Sequence, residues 1–164
     1  MSFVYRVLRR KYARNPFDGE GAYRYGGRWS SPGSRLGYTS EHQSLAMLEY
    51  FVHLDRDDPP DDLVLARAEV PDDVPRAIVP ISNLPANWRD AAALGELARI
   101  GDEFAEKGER CLLVVPSVLA PNERNCLINP AHPDCRRIVV HELEPLTYDP
   151  RMFGKRGRAR GRRR

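Results

Sequence analysis

The 164-residue chain has no apolar run near the roughly 18 residues needed to cross a bilayer. Its first eleven residues scatter arginines among a few apolar side chains, unlike the charged start and apolar stretch of a secretory leader. Both absences argue against a membrane span and against export. Cysteine is scarce: Cys111, Cys126 and Cys135 form an odd set with no C-x-x-C pair. That suits neither a disulfide framework nor a four-thiolate zinc site, and it fits a reducing cytoplasm. Familiar catalytic signatures are missing too. There is no G-x-x-x-x-G-K-[ST], no G-x-G-x-x-G after a strand, no H-E-x-x-H and no G-x-S-x-G. Phosphate-loop, dinucleotide-fold, zincin and α/β-hydrolase chemistry therefore lose their sequence support. His132 stands without neighbouring ligands, so no metal is expected.

What is present is the material of one ordinary domain, with 41% apolar and 30% charged residues, enough to bury a core. The net charge of +3 conceals an asymmetry, because residues 151–164 carry eight Lys/Arg and no acid, leaving 18 basic against 23 acidic residues before them. The expected organisation is a domain over residues 1–150 and a basic tail over 151–164 whose Gly, Arg and Ala content builds no core and predicts disorder. An argument for nucleic-acid binding from charge rests on that tail alone.

Residues 4–8 (VYRVL) predict a short strand, and residues 10–28 a Gly/Tyr/Arg-rich loop of little periodicity. Residues 36–39 predict a brief strand. Ser40 and Gln43 form an S-x-x-Q capping box opening a helix over 41–54. At 100° per residue Leu45, Leu48, Phe51 and Val52 share a face, with Glu49 at its edge, which predicts a partly buried carboxylate. The acidic, Pro-broken residues 55–62 read as a solvated loop. Leu63–Val70 alternates as a strand, and residues 91–107 carry an amphipathic helix that Gly108 is placed to end. The apolar run 111–115 (CLLVV) predicts a buried central strand delivering the chain to Ser117. Residues 122–134 read as a loop and 137–143 as a last strand. Strands and about two helices without regular βαβ alternation predict an α+β fold.

Four polar residues stand at element edges: Arg28 after Gly26-Gly27, Tyr38 before the helix, Glu49 on it, and Ser117 after the strand. Each also has an ordinary role open to it. An arginine after two glycines suits a surface loop, a stripe-edge glutamate an ion pair, a tyrosine a half-buried packing position, and a serine a turn cap. Composition does not show that the four converge.

Taken in chain order, the segments GGRWSSPGSRLGYTSEHQSLAMLEYFVH, LPANWRD, LLVVPSVLAPNERNCLINPAHPD and YDPRMF resemble the RES domain, a family named for an arginine, a glutamate and a serine. The resemblance runs over roughly residues 3–153. It places the family's arginine at Arg28, its glutamate at Glu49 and its serine at Ser117. Its tyrosine falls at Tyr38 and the asparagine of its N-P-x-H-P block at Asn129, with Gly27 beside the arginine. It implies a single α+β domain with a mixed, ADP-ribosyltransferase-like β core flanked by helices. It further implies NAD as substrate, and a cytoplasmic toxin paired with an Xre-like antitoxin. In such pairs a toxin homodimer sits in the complex, the antitoxin obstructs the pocket, and DNA is contacted through the antitoxin.

These residue types suit that chemistry. Breaking the nicotinamide N-glycosidic bond develops oxocarbenium charge, which a carboxylate fixed at the ribose stabilises in the transition state; Glu49 takes that role. Arg28 would bind pyrophosphate or ribose, with Gly27 permitting close approach. Tyr38 would offer a ring to nicotinamide, and Ser117 would fix geometry. Water, phosphate or a protein side chain as acceptor gives hydrolysis, phosphorolysis or ADP-ribosylation. Met47 and Phe51 stand two residues from Glu49, so no E-x-E pair activates a protein acceptor, which favours NAD degradation. ADP-ribosylation of a protein, and a non-catalytic binding module acting through the tail, are the alternatives.

Overall fold

The computed structural model describes residues 2–154. Along the chain lie β1 (Ser2–Arg9), α1 (Glu20–Tyr25), β2 (Gly37–Ser40), α2 (Gln43–Phe51), β3 (Leu63–Val70), β4 (Arg76–Ile78), α3 (Leu94–Lys107), β5 (Leu112–Pro116), β6 (Arg124–Ile128), β7 (Val139–Val140) and β8 (Glu144–Pro145). The strands form one mixed sheet in the order β4-β5-β6-β2-β1-β3-β7, with β8 also on β3. Among the described residues only β4 and β5 run parallel, and the other pairs are antiparallel. The architecture is α+β.

The alternation in β3 has a direct structural cause. It pairs with β1 along its whole length, from Ser2 opposite Val70 to Arg9 opposite Leu63. Val64, Ala66, Ala68 and Val70 are fully buried, in one core with Val4, Leu8, Leu112 and Ile128. The opposite face carries two smaller cores. Trp29, Leu36, Leu97, Phe104, Val115 and Leu127 pack together where α3 lies, and Val7, Ala46, Phe51, Leu65 and Tyr148 pack where α2 lies. Gly108 ends α3 in the left-handed conformation at φ 61°, as its place in the sequence predicts. Between the two helices, β1 and β2 share one ladder pair, Tyr5 opposite Ser40. The sheet parts there.

Several expectations need correction. Residues 10–28 are not simply a loop: they contain a 3-10 turn at Arg10–Tyr12 and the short α1. Just before α1 the Asp18 carboxylate accepts from the Glu20 amide, and within the helix Arg24 pairs with Glu20 one turn on. The capping box does not form. Ser40 lies in β2, and α2 begins at Gln43 after His42, which makes no side-chain cap. Leu45, Ala46 and Phe51 are buried in α2, whereas Leu48 and Val52 are 37% and 46% exposed. The helix 91–107 opens with a 3-10 turn at Ala91–Ala93. The expected loop 122–134 contains β6, because its polar first residues hide a strand that pairs on both sides. The expected strand 137–143 reduces to β7, since a 3-10 turn extends through Arg137.

Of the expected tail 151–164, residues 151–153 belong to a 3-10 turn, and residues 155–164 lie outside the described residues. That turn, Pro150–Phe153, sets the Phe153 ring 5.5 Å from Phe51 and 6.3 Å from Tyr148. The Tyr148 hydroxyl donates to the Met47 carbonyl at 2.6 Å, tying this segment to α2.

The thiols differ in environment. The neighbouring Cys111 thiol holds the half-buried Cys135 below the ordinary thiol value, while burial pushes Cys126 up to about 12. Thiolate is the reactive form. Alkylation near neutral pH, followed by peptide mass spectrometry, is therefore expected to mark Cys135 before Cys126, and the reverse order would contradict the assignment.

Candidate active site

The apolar β5 carries the chain into the interior and ends beside Ser117, which is fully buried. Its hydroxyl donates to Glu49 Oε1 at 2.8 Å and accepts from the Leu119 and Ala120 amides, both at 3.1 Å. Those amides fix the rotor so that its proton faces the carboxylate. The same Oε1 accepts from Asn125 Nδ2 at 2.7 Å, and Asn125 Oδ1 accepts from the Ser40 hydroxyl at 2.7 Å. The sheet register makes this possible, since Asn125 on β6 stands opposite Ser40 on β2 and opposite Val115 on β5. Glu49 Oε2 has no hydrogen-bond partner among the described residues.

Glu49 lines a cavity of about 720 Å³. It occupies the parting between β1 and β2, with Tyr5 and Arg6 contributed by the first and Tyr38 and Ser40 by the second. Arg6 donates to the Pro16 carbonyl at 2.7 Å. Burial pulls its guanidinium below the ordinary arginine value, against the opposing pull of Asp18. Lys11 and Arg14 also line the cavity, so its rim is rich in cations.

The other sequence-predicted residues fall in different places. Tyr38 lines the cavity, and its hydroxyl accepts from the Trp29 amide at 3.0 Å and shares a hydrogen bond with Ser30 Oγ at 2.9 Å. Burial pushes that phenol above its ordinary value. Gly27 packs on the same hydroxyl, since a Cβ there would lie 2.6 Å from it. Arg28 does not line the cavity; it donates to the Trp88 carbonyl at 3.2 Å. Asn129 is buried away from the cavity, its Oδ1 accepting from the Ala131 amide at 3.0 Å and its amide donating to the Cys111 carbonyl at 2.8 Å. His132 Nδ1 caps the following turn by accepting from the Asp134 amide. The structure thus joins Glu49 and Ser117 directly, sets Tyr38 with Gly27 on the cavity wall, and keeps Arg28 and Asn129 apart from it.

Tyr38→Phe keeps the ring but strands the Trp29 amide, at a cost of about 1–3 kcal/mol. The expected result is a thermal midpoint lower by roughly 2–12 °C. An unchanged midpoint would show that the hydroxyl does not hold this loop.

Three residues of the site were not singled out from sequence. Arg6 left a signal, a lone charge inside the apolar VYRVL. Ser40 reads from sequence as a helix cap, and Asn125 leaves no signal inside residues 122–134, which read as a loop.

A mixed sheet parted beside a helix-borne glutamate defines the class, a single α+β domain. The toxin–antitoxin complex MbcT–MbcA of M. tuberculosis contains a chain of the same fold, with a TM-score of 0.70 over 93% of this chain and 87% of that one at 18% identity. The protein belongs to the RES domain family, whose model matches residues 3–149. It is 39% identical over 149 residues to the "Prs ADP-ribosylating toxin" of a Sphingobium species, covering 89% of this chain and 92% of that protein. It is 34% identical over 151 residues to "Toxin Res" of Yersinia enterocolitica, covering 91% and 98%. A "Toxin Res" of Pseudomonas putida is 36% identical over 150 residues, covering 90% and 99%. No helix among the described residues is long and apolar enough to cross a membrane.

Proposed function

We propose that this protein is the toxin of a toxin–antitoxin pair and that it degrades NAD by breaking the nicotinamide N-glycosidic bond. The observation that carries the reading is Glu49, with one carboxylate oxygen held by Ser117 and Asn125 and the other without a hydrogen-bond partner among the described residues, in a cavity lined by Arg6, Lys11 and Arg14. As the bond breaks, its electron pair leaves with nicotinamide and positive charge develops on the ribose. A fixed carboxylate at that point favours the transition state over the bound substrate. The cationic rim suits the pyrophosphate. The ring of Tyr38 offers nicotinamide a flat face, and Ser117 orients Glu49. Arg28 acts through the loop it braces to Trp88, while Gly27 lets that loop close on Tyr38; Asn129 shapes the turn after β6.

Water as acceptor releases ADP-ribose and a proton, and phosphate yields the 1-phosphate of ADP-ribose. Chromatography of NAD with purified, antitoxin-free protein, with and without inorganic phosphate, tests the reading and identifies the product. Folded protein that leaves NAD intact would overturn it. The second reading, ADP-ribosylation of a cellular protein, is favoured by the name of the Sphingobium relative. Transfer of label from the adenosine half of NAD to protein, lost in Glu49→Gln, would replace degradation with transfer. The partner in this reading is an Xre-like antitoxin that binds DNA, covers the cavity, and assembles with a toxin homodimer in the cytoplasm. Co-expression with the adjacent gene and light scattering of the complex test it.

A further inference from the structure

We propose that Asn125 and Ser40 form a positioning pair that orients the Glu49 carboxylate, with Ser40 acting through Asn125. The inference rests on the NAD-cleaving reading for its kinetics, but not for its geometry.

A carboxylate oxygen has two in-plane acceptor directions. At Glu49 Oε1 two donors are present, Ser117 Oγ at 2.8 Å and Asn125 Nδ2 at 2.7 Å. One donor alone would leave the group free to swing about that contact. Two donors on one oxygen set its plane and leave Oε2 as the face offered to the cavity. Asn125 does this only in one amide orientation, because the flipped amide would set Oδ1 against the carboxylate. The carboxylate, which only accepts, dictates that orientation, and Ser40 holds the amide in place by donating to Oδ1 at 2.7 Å. Ser40 is itself buried and stands opposite Tyr5, at the single pair joining β1 to β2. The pair therefore references the carboxylate to the base of the cleft rather than to α2.

The test compares kcat and KM for NAD loss in Asn125→Ala, Ser40→Ala, Ser40→Thr and the Ser40→Ala/Asn125→Ala double variant, with thermal unfolding of each. A lost hydrogen bond to a charged group predicts kcat lower by roughly 10–100-fold in Asn125→Ala, with KM nearly unchanged, since the carboxylate acts at the transition state. Ser40→Ala is expected to lose less, and Ser40→Thr, which keeps the hydroxyl, to recover most of that loss. The double variant is expected to be no worse than Asn125→Ala, because Ser40 acts only through Asn125. Additive losses, or a change confined to KM, would overturn the proposal. Should Asn125→Ala not fold, the Ser40→Ala and Ser40→Thr comparison decides it.

A readout independent of activity separates this inference from the proposed function. The side-chain amide protons of Asn125, followed by ¹⁵N NMR, are expected downfield in the unaltered protein and returned upfield in Glu49→Ala. If the protein turns over no NAD yet shows this shift, the function falls and the pair stands. If it turns over NAD without the shift, the pair falls.

Discussion

Glu49→Gln leaves the protein folded and lowers NAD consumption by roughly 10²–10³-fold, the scale on which a single preorganised electrostatic group acts in an active site. The substitution is nearly isosteric. A glutamine carbonyl placed where Oε1 lies still accepts from Ser117 and Asn125, so the network at 2.8 and 2.7 Å survives. What changes is the free end, where an amide nitrogen replaces the oxygen that faces the cavity. Its hydrogens bring positive charge toward a ribose that is itself becoming positive. Stabilisation therefore turns into mild repulsion without a cavity or strain in the fold. Initial rates of nicotinamide release, measured beside a thermal unfolding curve, check both halves of the expectation. Retained turnover in folded Glu49→Gln protein would remove this carboxylate from the mechanism and with it the proposed function.

Gly101→Ala is expected to be the most damaging single methyl on α3. Helix propensity alone predicts the opposite, a gain of about 1 kcal/mol from replacing an interior glycine with alanine. Packing reverses the sign, because a Cβ on Gly101 would lie 1.7 Å from the Trp29 carbonyl oxygen and 3.2 Å from Leu36 Cδ1. The first of these is backbone and cannot rotate away. It belongs to the loop that Tyr38 holds from one side through the Trp29 amide and that Asp102 holds from the other, accepting from the Ser31 amide at 2.9 Å and the Ser34 hydroxyl at 2.6 Å. Helix or loop must move, at a cost of roughly 3 kcal/mol for overpacking a core. The net effect is a loss of about 2 kcal/mol, read as a lower urea midpoint at unchanged slope. Gly95→Ala, on the same helix with nothing within 4 Å of the added methyl, supplies the control and is expected to gain a few tenths of a kcal/mol. Equal behaviour of the two variants would show that α3 does not rest on the Trp29 backbone.

These two substitutions mark where local pattern stops being informative. Alternation in 63–70 was enough to place a strand with one face wholly buried, because a period of two encodes which side chains share a face. The 3.6-residue period likewise predicted an amphipathic helix over 91–107 and set Glu49 at the edge of the stripe on α2, and Gly108 announced a helix end. The strand-length apolar run before Ser117 correctly implied a serine delivered into the interior. Each of these rests on neighbours within one or two turns of chain.

The sequence by itself thus determined an α+β domain with a half-buried glutamate and a serine at the end of a buried strand. Only the tertiary structure decided what they meet. Ser117 and Glu49 are 68 residues apart, Asn125 and Glu49 76, and Ser40 and Asn125 85. Their meeting depends on β2 lying between β1 and β6, an order that no local period records. The same order withdrew Ser40 from its expected cap, since a hydroxyl donated to Asn125 across the sheet is not available to a helix start. It also set Arg6, rather than Arg28, on the cavity wall, because the wall forms where β1 and β2 separate and a loop arginine braced to Trp88 lies elsewhere. Periodicity tells a side chain which face it occupies; strand order tells it what stands opposite, and that is settled by long-range pairing.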